Sequence, residues 1–131
     1  MSQENVEILR LFYEAELNSD DVLQYLDPKV ELSPGIRTPD QHMRYVGRKG
    51  WSEFIAGATE VWESVVIEPK ERLETTDDRI LAIDRWLFGG RDGIEIESEL
   101  PTLFTFRNGL IVRIDGFTDK SEALEAAGLS D

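Results

Sequence analysis

The sequence predicts an α+β domain in which N-terminal helices precede a meander of antiparallel strands. Three observations predict it. In the first half, apolar residues recur at helical spacing: Val6, Leu9, Tyr13 and Leu17, then Trp51, Phe54, Ile55, Ala58, Val61 and Trp62. In the second half, apolar runs at 79–89, 94–107 and 110–117 are bounded by turn residues, as strands are. Helices first and strands afterwards is the order of α+β proteins, not of alternating βαβ units.

The first helix is expected over residues 4–17, with Ile8 and Phe12 widening its apolar stripe. Asn18-Ser19-Asp20 breaks it and caps a shorter helix over 21–26. Asp27-Pro28 ends that helix, because the residue before proline is pushed out of the helical region. Val30-Glu31-Leu32 reads as a brief strand. Residues 33–46 hold two prolines and a glycine and read as a long loop, a kind of segment that often carries function. A third helix is expected from Gly50 to Ser64. Pro69 interrupts the strand at 65–75, which marks it as an edge strand or a bulge. Gly89-Gly90-Arg91-Asp92-Gly93 is a turn; it lacks the Lys-Ser/Thr pair and the following helix of a phosphate loop. Asn108-Gly109 supplies the positive φ angles of a two-residue hairpin turn. Asp119 caps a closing helix, with Glu122 three residues on, and Gly128 stops it.

Alternation assigns faces. On 94–100, Glu95, Glu97 and Glu99 share one side and belong in water; Ile94, Ile96, Ser98 and Leu100 share the other, continued by Thr102, Phe104 and Phe106. On the last strand Leu110, Val112 and Ile114 are expected inside, with Gly116 on the same face. The strand from 79 is largely apolar on both sides: Ile80, Ala82, Asp84, Trp86 and Phe88 on the even face, Leu81, Ile83, Arg85 and Leu87 on the odd. A strand apolar on both sides is covered on both sides. With helices assigned to one face, a second copy of the chain is the expected cover of the other, hence a homodimer through the sheet.

Composition sets limits. The chain has 131 residues and reads as one domain over 1–131. Acidic residues outnumber basic ones 27 to 14, for a formal charge of −13. That charge repels phosphate backbones, so nucleic acid and anionic membranes are not expected partners. Cysteine is absent, which excludes disulfides and thiolate metal sites. The polar N-terminus is unlike a signal peptide, and a cytoplasmic location is expected.

In their order and spacing, several pieces resemble the nuclear-transport-factor-2-like superfamily, in particular its SnoaL-like branch. They are Glu4-Asn5-Val6-Glu7-Ile8, Tyr13-Glu14-Ala15, Leu26-Asp27-Pro28-Lys29-Val30-Glu31, Tyr45-Val46-Gly47-Arg48-Lys49-Gly50 and Phe104-Thr105-Phe106-Arg107-Asn108-Gly109. The resemblance covers nearly the whole chain. It implies a cone: a strongly curved mixed or antiparallel sheet wrapped around the N-terminal helices, an α+β barrel of the cystatin-like kind, with a cavity at its open end and dimerisation through the sheet. It implies a small-molecule pocket, either of a cofactor-free isomerase, cyclase or hydrolase acting on a small hydrophobic or cyclic carbonyl compound, or of a non-catalytic binding module. Epoxide hydrolase relatives carry an Arg and an Asp two apart on a middle strand and an Asp near the end of the last. Those positions here are Asp84, Trp86 and Gly116, so that triad is absent. Cyclase relatives also commonly carry an acid near the position of Gly116.

Asp84, on the predicted inner face between Ala82 and Trp86, is the sharpest candidate for chemistry. A carboxylate against indole and apolar walls can serve as a general base. The plainer reading is a buried carboxylate paired with an arginine. His42, the only histidine, stands in the long loop and could act as acid, base or donor there; the plainer reading is a solvent-exposed loop residue. Tyr13, Leu17, Tyr45, Trp51, Trp62, Trp86, Phe88 and Phe104 are the expected substrate-binding set, suited to a flat hydrophobic molecule or to plain core filling. A lone histidine makes a poor metal site, and Glu95, Glu97 and Glu99 stand about 7 Å apart on a flat strand, so neither metal nor cofactor is expected.

Overall fold

A computed structural model describes residues 2–16, 19–35, 44–75 and 78–129. Helix α1 spans Ser2–Glu14, and a 3₁₀ helix follows over Asp20–Tyr25. Strands β1 (Leu26–Ser33) and β2 (Tyr45–Val46) lead into α2 (Gly47–Val61). Then come β3 (Trp62–Glu74), β4 (Arg79–Gly90), β5 (Glu95–Arg107), β6 (Leu110–Gly116) and the closing helix α3 (Lys120–Ala126). The six strands form one mixed sheet in the order β2-β1-β6-β5-β4-β3. Only the β1–β6 pair is parallel. The sheet has two free edges and does not close, so the α+β class stands and the barrel does not.

Several expectations shift by a turn or a register. On α1 the buried stripe runs through Asn5, Leu9 and Phe12, whereas Val6 is 39% exposed. The third helix starts three residues early and ends at Val61, so Trp62 opens β3 and does not lie on the helix's buried side. Pro28 lies inside β1, where the pairing with β6 slips between Leu26 and Glu31; a proline gives the ladder no N–H. β3 is an edge strand with a register shift between Pro69 and Glu71. On β6 the inner residue is Ile111 rather than Val112. The pairing jumps from Thr105↔Arg113 to Phe106↔Ile111, and the skipped residue turns the alternation over.

The punctuation is as read. Asn108 and Gly109 take φ of 52° and 78°. The Asp119 carboxylate accepts from the Ser121 N–H at 3.1 Å. Gly128 sits at φ 75°, and the Leu129 N–H closes back on the Leu124 carbonyl at 2.8 Å.

Two apolar clusters hold the sheet from opposite sides. The inner one joins Leu9, Phe12, Trp51 and Ile55 from the helices to Ile80, Ala82, Phe104, Ile111 and Ile114 from the strands. The outer one joins Leu81, Ile83 and Leu103 to Ala123, Leu124 and Ala127 at α3. The second cover of β4 is thus supplied by this chain's own last helix along its first half. That removes the premise that led from a two-sided apolar strand to a homodimer. Among the described residues no helix is long and apolar enough to cross a membrane.

Candidate functional site

Alternation along β4 sends Ile80, Ala82 and Asp84 to the inner face, and it does the same with Trp86 and Phe88 farther along. The cover changes between these two groups. α1 and α2 pack over the first, and Trp86 and Phe88 face a cavity of about 600 Å³. Tyr13 from α1, Trp51 and Phe54 from α2, Trp62 from β3, Trp86 and Phe88 from β4, and Phe104 from β5 contribute to its walls. Trp86 and Phe88 are stacked, 5.8 Å between centroids and 22° between planes. Trp62 lies 5.1 Å from Phe88. These rings give the cavity a broad π surface.

Asp84 is completely buried and is not part of the cavity wall. One carboxylate oxygen accepts from Arg72 Nη1 at 2.6 Å, the other from the Tyr13 hydroxyl at 2.6 Å. The Arg72 guanidinium also stands 4.7 Å from the centre of the Tyr13 ring, a cation–π contact. Arg72 reaches inward because of the shift after Pro69, which pairs it with Ala82 on the inner face. Burial pushes the Tyr13 hydroxyl well above the usual tyrosine range; the neighbouring carboxylate adds to this, and Arg72 opposes it. Tyr13 therefore keeps its proton and donates it to Asp84. Of the two side chains bonded to Asp84, Tyr13 is the one that lines the cavity.

Tyr13, Trp51, Trp62, Trp86, Phe88 and Phe104 come together around the cavity. Tyr45 does not: it is buried in the inner core with its ring 5.5 Å from that of Phe54, and it is not among the lining residues. Leu17 and His42 lie outside the described residues. Arg72 was missed by sequence reasoning. Its signal was Pro69 one short bulge upstream, together with the rule that a buried carboxylate needs a cation. Phe12, Phe54 and Thr102 also line the cavity unannounced. Phe12 and Phe54 looked like ordinary helix core, and Thr102 was simply one more inner-face position.

Tyr13 and Trp86 each bring a polar atom inward, and the outcomes differ. Tyr13 finds Asp84. The indole N–H groups of Trp51 and Trp86 are covered by protein atoms and have no hydrogen-bond partner among the described residues. A ligand in the cavity thus meets the faces of these rings rather than their N–H groups. Glu97 and Glu99 look outward and are paired, Glu97 with Arg85 and Glu99 with Lys70 at 3.8 Å.

Gly116 has a structural reason. A Cβ there would stand 2.5 Å from the backbone nitrogen of Gly35, and a Cβ on Gly35 would stand 2.7 Å from the nitrogen of Phe117. Two backbones touch at the cavity wall, at the position where the resemblance to cyclases implies an acid. No side chain, acidic or otherwise, fits there without moving the chain.

No protein-family model matches the sequence, and no curated protein matches it. Solved structures do. An NTF2-like protein of unknown function from Burkholderia pseudomallei superposes with a TM-score of 0.76 at 21% identity, over 95% of this chain and 97% of that one. TerC, co-crystallised with polyporic acid, gives 0.78 at 20% identity over 95% and 97%. A candidate SnoaL-like polyketide cyclase from Jannaschia sp. CCS1 gives 0.73 at 20% identity over 98% and 94%. The chain has the nuclear-transport-factor-2-like fold, the one its sequence resembles. The fold is shared by proteins of many functions and assigns none.

Proposed function

We propose that the chain is a small-molecule pocket protein whose ligand is flat, compact and largely apolar, and that Asp84 serves this site through Tyr13 without touching the ligand. One observation carries the reading: a cavity of about 600 Å³, walled by aromatic rings, with the buried carboxylate behind it rather than in it. That volume lies within the range of small-ligand sites. TerC, a protein of the same fold, was co-crystallised with polyporic acid, which supports reading this fold's cavity as a small-molecule pocket. The Tyr13–Asp84–Arg72 couple then acts as a brace that fixes the Tyr13 ring at the cavity wall.

The second reading is catalytic: a cofactor-free isomerase, cyclase or hydrolase in which Asp84 withdraws a proton by way of the Tyr13 hydroxyl. The 2.6 Å contact between the two favours it. Against it stand the Arg72 partner, which holds the carboxylate's other oxygen, and the backbone contact at Gly116. Asp84→Asn separates the two. The variant is assayed for binding of a flat aromatic probe by calorimetry, and for turnover of a panel of cyclic ketones and epoxides. Retained binding with no turnover in either protein is the expected result. Turnover by the parent chain that Asp84→Asn abolishes would replace the binding reading with the catalytic one.

A homodimer is supported by exposed apolar residues on β3 and at the start of β5, where Val66, Ile94 and Ile96 are 50%, 57% and 46% exposed. Sedimentation equilibrium of the parent chain and of Ile96→Glu tests it; a monomeric parent chain would dispose of the idea.

A further inference from the structure

The cavity wall carries a charge preference as well as a shape, and this inference rests on reading the cavity as a ligand site. Among the described lining residues there is no lysine, arginine or histidine, while Glu16 and Glu63 are both present. The cation nearest the site's machinery, Arg72, is matched by Asp84 at 2.6 Å. Arg91 reaches the wall only from outside, donating to the Thr59 carbonyl at 2.9 Å, and is exposed to water.

Tyr13 is a lining residue whose hydroxyl has a fixed sense. Its proton is committed to the Asp84 carboxylate at 2.6 Å. The hydroxyl oxygen therefore has lone pairs to offer and no proton to give. A ligand that meets it must donate. Much of the wall is ring surface, set among aliphatic residues such as Ile55, Leu100 and Ile114: Trp86 stacked on Phe88, Trp62 beside them, and Trp51, with the N–H groups of Trp51 and Trp86 covered by protein atoms. The faces of such rings are negative, and tryptophan attracts cations most strongly of the three aromatic types. The formal charge of −13 adds a long-range bias in the same direction.

We infer that the cavity selects an organic cation, an aromatic or alkyl-aryl ammonium, over its neutral and anionic isosteres. The ammonium N–H donates to the Tyr13 oxygen or to a rim glutamate, and the methylene next to it rides on the indole faces. An anion of equal size finds no cationic side chain on the described wall, only the hydroxyls of Thr59, Ser64 and Thr102, and faces Glu16 and Glu63, so its lost hydration is poorly compensated.

Three matched probes test this on the full chain by calorimetry at neutral pH: 2-naphthylmethylammonium, 2-naphthylmethanol and 2-naphthoate. The ammonium is expected to bind about tenfold more tightly than the alcohol, and the carboxylate more weakly than either. In Glu16→Gln/Glu63→Gln the gap between ammonium and alcohol narrows, while the affinity for the alcohol stays where it was. Trp86→Leu weakens the ammonium more than the alcohol. Equal affinities for ammonium and alcohol, or a carboxylate that binds tightest, would overturn the charge preference and leave the pocket standing. If none of the three binds, the pocket reading falls and takes this inference with it.

Discussion

β4 obeys one alternation along its length, yet its two halves live in different surroundings. From Ile80 to Asp84 every residue is at most 1% exposed, with helices and strands packed on the inner face and α3 on the outer. From Arg85 to Gly90 every residue is only half-buried. Inside, Trp86 and Phe88 face the cavity; outside, Arg85 lies between Glu68 and Glu97. The same period-two pattern builds a sandwiched strand where both faces have a lid, and a binding wall where neither does. Stability belongs to the first half; under the proposed function, ligand recognition belongs to the second.

This division can be broken by substitution, and the largest effect is expected in the covered half. Leu81→Ala should cost about 3 kcal/mol in urea unfolding, since a fully buried leucine loses its contacts and leaves a void. Leu87→Ala, on the same outer face but beyond α3, should cost under about 1 kcal/mol. Equal losses would mean that α3 does not make the difference. Asp84→Ala should come next, at about 2–3 kcal/mol, because it strands the Tyr13 hydroxyl and Arg72; the figure sits at the lower edge of the usual range, as Arg72 keeps 26% of its side chain in water.

Trp86→Ala sharpens the contrast from the other side. It should lower probe affinity more than tenfold, about 1.4 kcal/mol, and change unfolding less than Leu81→Ala does. A smaller effect arises from pH. The Tyr13 hydroxyl is raised in the folded chain and titrates near pH 10 in the unfolded one. Its contribution is therefore fully present below pH 10 and is lost as pH climbs toward the folded value. The parent chain should lose up to about 1.4 kcal/mol per pH unit above 10 relative to Tyr13→Phe. Parallel alkaline unfolding curves would show that Tyr13 is not held protonated. Least of all is expected from Arg85→Ala, whose partners are exposed glutamates; a measurable shift in the urea midpoint would make that surface network structural.

Much of this division could be read in the residues. Asp84 among apolar neighbours on the even face, the turn at Asn108-Gly109 and the interruption at Pro69 are local signals, and local physics decided them. Two things were hidden. The bulge at Val112 depends on how two strands meet, so the inner residue became Ile111. The cover over Leu81 and Ile83 depends on where a helix of seven residues lands after the last strand, which its own sequence does not state. The site shows the same limit. Its rings were visible one by one, while Arg72 became visible only when the register after Pro69 aimed it at Asp84. Tyr45 had the composition of a pocket residue and the position of a core one.

The close approach of Gly35 and Gly116 has a consequence for anyone who would graft hydrolytic activity onto this scaffold. Replacing residue 116 by aspartate alone would drive its first side-chain carbon into main-chain atoms, so the fold would have to yield before any acid could function. The segment at Pro34-Gly35 would need to be rebuilt first, and the two glycines should be varied as a pair in any library.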